Sequence, residues 1–254
     1  MLHQDEHLIA VHKPAGFHVH PPESGHLIPD GANCLKLLRK QADRYLYPVH
    51  RLDRATSGVL LFALDPVSAR DLMRQFDAGE VEKTYYAVVR GWPPETGVID
   101  DPLRDKPGPR FPGRSDGGGA DAPDSPVQAA VTEFERLAAL EVPRAVGRHD
   151  TARYALLRVR PRTGRWHQVR RHLARRAHPV LGDTAHGDRA HNRFARDELG
   201  LEGLLLKAHA VTFSHPGTGE RVRVVSPWKD LWHRVFEHFG LCPWGDGRPG
   251  LHRA

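Results

Sequence analysis

The chain has 254 residues and is 39% hydrophobic, enough to bury a core in a domain of this size. Lysine and arginine number 37 against 31 acids, a formal net charge of +6, which alone points only weakly to an anionic partner. Its two cysteines, Cys34 and Cys242, are far apart, which argues against a disulfide framework or a thiolate zinc site and favours a reducing, cytoplasmic setting. The first ten residues are too polar for a signal peptide. No apolar run approaches the roughly 20 residues of a membrane span, so no membrane partner is expected.

In chain order, Leu8 to His12 reads as a strand that stops at the turn Lys13-Pro14-Ala15-Gly16. The continuous apolar run Val59 to Leu64 reads as a buried strand. Asp65-Pro66 then supplies an N-cap and a proline at the first helical position, and Ala69, Leu72, Met73 and Phe76 follow at helical spacing up to Gly79. Thr84 to Val89 is β-branched and aromatic, as strands are. From 104 to 126 there are five prolines, five glycines and few apolar side chains, the composition of a flexible insertion. Strand-like segments resume at Val127 to Phe134 and Tyr154 to Val159. Ala208 to Phe213 and Arg221 to Val225 flank a Gly-rich turn as a hairpin. A helix from Lys229 carries Leu231, Trp232, Val235 and Phe236. Strands without strict βαβ alternation predict an α+β fold, a mainly antiparallel mixed sheet with flanking helices, formed by one domain over 1–254.

Three segments hold candidate chemistry. The first, His50-Arg51-Leu52-Asp53-Arg54-Ala55-Thr56-Ser57-Gly58, is a polar loop feeding the buried strand. It is either a functional carboxylate loop around Asp53 or a turn in which Asp53 and Thr56 cap backbone amides. The second is Lys83-Thr84-Tyr85-Tyr86, in which Tyr85 packs with its hydroxyl bonded or stacks on a base. The third runs from Thr163 through Gly164, Arg165, Trp166, His167 and Gln168 to Ala174. Winding it at about 100° per residue puts Arg170 within the apolar stripe of Val169, Leu173 and Ala177, and Arg171 and Arg175 on the far side. An inward Arg needs an acid, unless it snorkels from the stripe's edge. Nine arginines and no acid lie between Asp150 and Asp183, a block that predicts a local positive field. The 18 histidines include no metal-binding motif, and there is no phosphate loop or dinucleotide fingerprint.

Together these segments resemble the RluA family of pseudouridine synthases. HRLDRATSG resembles its first motif, KTYYAVVRG its second and TGRWHQVRRHLA its third; LIAVHKPAG and LLLKAHAVTFSHPGTGE match further landmarks, so the likeness runs from about Leu8 to about Val225. The resemblance implies a central cleft lined by Asp53 as the catalytic carboxylate, with Tyr85 and Arg170 as its partners, Arg170 pairing with Asp53. It implies that Arg51 fills the space left by a flipped uridine, with Arg165 a further substrate contact. Arg171, Arg175 and Arg176 are the candidate phosphate contacts. The reaction is an isomerisation, so no redox or group-carrier cofactor is required. VPRAVGRHDTARYALLRVRPRTGR, the segment Gly182 to Asp188 with His186 where most of the family has Tyr, and no extra N-terminal RNA-binding domain resemble the branch acting on uridine 65 in the T-stem of tRNA. The expected partner is therefore RNA, tRNA first, with no obligate protein partner indicated. A ribosomal RNA synthase of the same family and a noncatalytic RNA-binding protein remain the alternatives.

Overall fold

A computed structural model describes residues 1–19, 33–104, 126–147, 149–242 and 250–253. The insertion expected at 104 to 126 lies almost wholly outside them. Two strands, β1 (His3–Gln4) and β2 (Leu8–Lys13), open the chain and pair antiparallel. Helix α1 (Cys34–Ala42) leads to a short β3 (Tyr47–Pro48) and then to β4 (Ser57–Ala63). Asp65 caps α2 (Pro66–Asp77) by accepting from the amides of Val67 and Ser68, as the Asp-Pro signal predicts. Next come β5 (Glu82–Arg90), β6 (Thr96–Asp100) and β7 (Leu103–Arg104).

The expected strand at Val127 to Phe134 is two: β8 (Val127–Gln128), paired with β7, and β9 (Val131–Val142), which runs eight residues past Phe134. β9 is longer than expected because its partner β10 (Ala152–Pro161) pairs with it along its whole length, up to Ala152 against Val142. Helices α3 (Gln168–Arg175) and α4 (Arg189–Asp197) follow, then the hairpin β11 (Leu206–Ser214) and β12 (Arg221–Val225), helix α5 (Asp230–His238) and β13 (Gly250–Arg253). Among the described residues no helix is long and apolar enough to cross a membrane.

The main sheet runs β1-β2-β4-β11-β5-β10-β9-β6, with β3 on β4, β12 on β11 and β13 on β12. Among the described strands every pair is antiparallel except β4–β11, where Ser57 and Gly58 lie beside Lys207 and Ala208. β4 is a continuous apolar run because it is covered on both sides. Leu61 and Ala63 face Leu72 of α2, whereas Leu60 and Phe62 face Cys34 and Leu35 of α1. Farther along the sheet, Ala87 and Val89 of β5 pack with Val169 and Leu173 of α3. Tyr86 and Val88 point the other way, toward Trp232, Val235 and Phe236 of α5.

Lys207 of β11 is fully buried, donates to Ser226 Oγ at 3.0 Å and lies 5.6 Å from the centre of the Trp228 ring. Burial, then the charge of Lys229, lowers its pKa to about 7. An unfolded lysine titrates at about 10.4, so between about pH 7 and pH 10 the unfolded chain binds more protons than the native one. The neutral amine favours the fold fully above that window; this advantage is lost as pH falls through it and is constant below it. Lys207→Met should therefore raise the melting temperature at pH 7 and flatten the rise of stability toward pH 10. Thermal unfolding at both pH values checks this, and an unchanged slope would refute the assignment.

Candidate active site

The first motif forms the loop between β3 and β4, anchored at several points. His50 Nε2 accepts from the Leu61 amide at 3.0 Å and its ring stacks on Phe76; burial brings its pKa to about 3, which keeps it a neutral acceptor. Asp53 and Thr56 close a turn through Thr56 N to Asp53 O at 3.0 Å. The Arg54 carbonyl accepts from Gly16 N and from Lys13 Nζ, a buried amine that also donates to the carbonyls of Pro14 and Phe17. Gly58 has φ +133°, and a Cβ there would overlap the Ala208 carbonyl, so its place in the parallel pair requires glycine.

The third motif is clamped to β9. Gln168 Oε1 accepts from Arg165 N and the Thr163 hydroxyl, while Nε2 donates to Val131 O and Thr132 Oγ1, so all its polar groups are engaged. His172 Nδ1 lies 2.9 Å from the same Thr132 hydroxyl. The second motif joins in through Lys83, whose Nζ donates to Thr163 O at 3.2 Å. The three sequence motifs thus meet at one place.

Arg170 lies at the centre, 5% exposed. It has two acids, not one. Nε and Nη2 donate side-on to Asp183 Oδ2 and Oδ1, both at 2.8 Å, and Nη1 donates to Asp53 Oδ2 at 3.1 Å. The Asp183 side chain is fully buried, and its Oδ1 also accepts from the amides of Ala185 and His186. Burial pushes its pKa up, but the bonds and charge of Arg170 and those two amides outweigh it and hold the carboxyl below its ordinary value. Arg170 is held above its ordinary value against desolvation by Asp183 first, then Asp53. Asp53 keeps about a fifth of its side chain exposed, and its Oδ1 meets no hydrogen-bond donor among the described residues. Tyr85 sits on the same cluster as Ala55 and Val169; burial, then the Asp53 charge, raises its hydroxyl pKa, so it is a neutral phenol. Among the described residues no group of three His, Cys, Asp or Glu side chains is placed to hold a metal ion.

A family model described as RNA pseudouridylate synthase matches residues 7–175. The chain belongs to this family of RNA isomerases. The synthase is 41% identical to tRNA pseudouridine synthase C of Yersinia pestis, over all of this chain and 95% of that one. It is 42% identical to tRNA pseudouridine synthase C of Pectobacterium carotovorum over 94% of this chain; that match spans 62% of the relative's length. Among solved structures, human RNA pseudouridylate synthase domain containing 4 superposes with a TM-score of 0.65 at 26% identity, covering 94% of this chain and 92% of that one.

Some expectations for the synthase change. The acid facing Arg170 most closely is Asp183, which carried no expected role; it is the first carboxylate after the acid-free stretch, and that position was its one signal in the sequence. Arg171, expected on an outer face, is 7% exposed, donates to the carbonyls of Arg104 and Trp166 and lies 5.6 Å over the Trp166 ring. A helical wheel marks the face toward the sheet but not a second layer laid over the other side by residues 101–104 and Trp166. Part of the positive field expected from the nine arginines is offset by acids of neighbouring segments. Arg153 meets Glu141, Arg158 meets Glu135 and Arg162 meets Glu133, while Arg176 meets Asp101. The acids missing from the stretch itself come from its neighbours. Arg51, Arg175 and Arg176 are exposed, Arg175 donating to Pro102 O, and Arg165 is half-buried with Nε on Ala129 O.

Proposed function

We propose that this synthase isomerises a uridine of tRNA, uridine 65 of the T-stem, with Asp53 as the carboxylate that meets the ribose. The observation that carries the reading of Asp53 is its divided surroundings: Oδ2 is held by Arg170, and Oδ1 faces no donor among the described residues. Such an oxygen can offset or attack the positive character that grows at C1′ as the N1–C1′ bond breaks. The C5–C1′ bond then forms, C5 loses its proton and N1 gains one, with no net oxidation. Tyr85, a neutral ring beside Asp53, is the surface on which the extruded uracil stacks. Arg51, exposed in the loop, fills the vacated space, and Arg165 holds a flanking phosphate. Arg175 and Arg176 also contact phosphates, Arg176 by exchanging Asp101 for RNA. The proposal takes the chain as one catalytic domain acting in the cytoplasm. Support for tRNA comes from the length and level of similarity to tRNA pseudouridine synthase C.

The test is incubation with an unmodified tRNA transcript and, in parallel, with unmodified ribosomal RNA, followed by mapping of pseudouridine. A single product at position 65 is expected. Product only in ribosomal RNA would overturn the tRNA reading, and binding without isomerisation of any RNA would overturn the assignment of Asp53.

A further inference from the structure

His167 breaks a local rule. It opens α3 in the left-handed region, at φ 50° and ψ 28°, and makes no side-chain cap. A non-glycine residue held there costs free energy that its surroundings must offset. Those surroundings are specific. Trp166 stacks on the imidazole at 4.0 Å and 20°. His167 Nδ1 lies 2.9 Å from His186 Nε2, and His167 Nε2 lies 3.8 Å from Asp53 Oδ2. His186 is itself held by its amide's bond to Asp183 Oδ1 at 3.0 Å. A line of contacts therefore runs from Asp183 through His186 and His167 to Asp53, alongside the one through Arg170.

We propose that His186 is a positioning residue of the synthase: its Nε2–H fixes His167 as the Nε2–H tautomer and so aims an N–H at Asp53 Oδ2. The proposal rests on the reading of Asp53 given above. Both rings are neutral near pH 7, because burial lowers both, His167 to about 4. One proton must then lie between the facing nitrogens Nδ1 of His167 and Nε2 of His186. If His167 carried it, its bare Nε2 lone pair would face the Asp53 carboxylate, a repulsive arrangement. If His186 carries it, His167 presents Nε2–H to the carboxylate. The other charged groups around the pair are Arg170, Asp183 and, for His186, Arg171. Asp183 spends both oxygens on Arg170 and on backbone amides, so Asp53 decides the choice. At 3.8 Å the N–H is beyond a direct hydrogen bond. Contacts of this kind, long in a free enzyme, tighten in the complex with substrate.

The experiment has two arms. In the first, nitrogen NMR of the histidine-labelled protein, with His167 assigned by the spectrum of His167→Gln, reads the tautomer directly. The Nε2–H form near pH 7 is expected, and the Nδ1–H form overturns the proposal. This arm involves no turnover, so it stands apart from any failure of the Asp53 reading. The second arm compares His186→Leu with His186→Gln. Outer partners that orient metal-bound imidazoles are worth about 10–100-fold in activity, and the same scale is expected here. The Leu variant should lose kcat by that factor with KM for RNA held within about twofold, and Gln should restore most of it, because its amide donates from a similar place. Full kcat in the Leu variant overturns the proposal, as does a Gln variant as slow as Leu, since that marks a merely structural role.

Discussion

Asp53→Asn should abolish measurable turnover, a fall of about a thousandfold or more, while leaving a folded protein that still binds RNA. The amide keeps the shape of the side chain but can neither attack C1′ nor offset charge developing there. Binding should survive because phosphate contacts elsewhere supply most of it. Stability should fall by no more than about 1 kcal/mol, the scale of a partly exposed ion pair. With one acid beside Arg170 the loss would be large, but Arg170 keeps both bonds to Asp183 when Asp53 loses its charge. Pseudouridine formation, RNA affinity and thermal unfolding measured together check the expectation. Robust turnover would refute the role of Asp53, and loss of affinity in step with turnover would make it structural instead.

Asp183→Ala should do the reverse, acting first on the fold. It strands a buried guanidinium with one partly exposed partner and releases the amides of Ala185 and His186. Breaking such a pair costs about 3–5 kcal/mol, which lowers the melting temperature of a chain this long by about 10 °C. Turnover should fall as well, since Arg170 and His186 both depend on that carboxylate for their places. Arg170→Met combined with Asp183→Leu separates the two effects. If the residues act as one unit, the double variant should be clearly less destabilised than the sum of the singles. Simple additivity would show that the side-on contact contributes nothing of its own, and the same cycle on Asp53 and Arg170 should give the smaller coupling.

Much of this site was legible in the sequence because its residues lie in short, ordered segments. The Asp-Pro cap located α2, the unbroken apolar run located β4, and the inward position of Arg170 on its helix called for an acid. What stayed hidden depends on contacts across the chain. Lys13 reads as the start of a turn, yet it ends β2 and three carbonyls enclose its amine. Asp183 follows the third motif, and only the fold of the turn after Val180 brings it back under α3. α4 was missed because only His191 and Ala195 are buried along it, too few for a periodic signal; the Asp188 cap was its clearest mark. The acids that partner several arginines of the block stayed hidden because a linear stretch without acids says nothing about the strand beside it.

The lone parallel pair in the sheet bears on how the enzyme is made. β4 carries the Asp53 loop at its leading end, and β11, which pairs with that end on the side opposite β2, comes very late in the chain. Contacts between segments so distant in sequence form slowly, since the intervening chain must first give up its freedom. During synthesis the segment around Asp53 therefore emerges long before the strand that completes its seat. Until then Gly58 has no Ala208 carbonyl to lie against, and the edge of β4 that will face β11 is open to other chains. The Asp53 loop is made early, tied at once to Gly16 and Lys13, and waits for β11 to complete its seat.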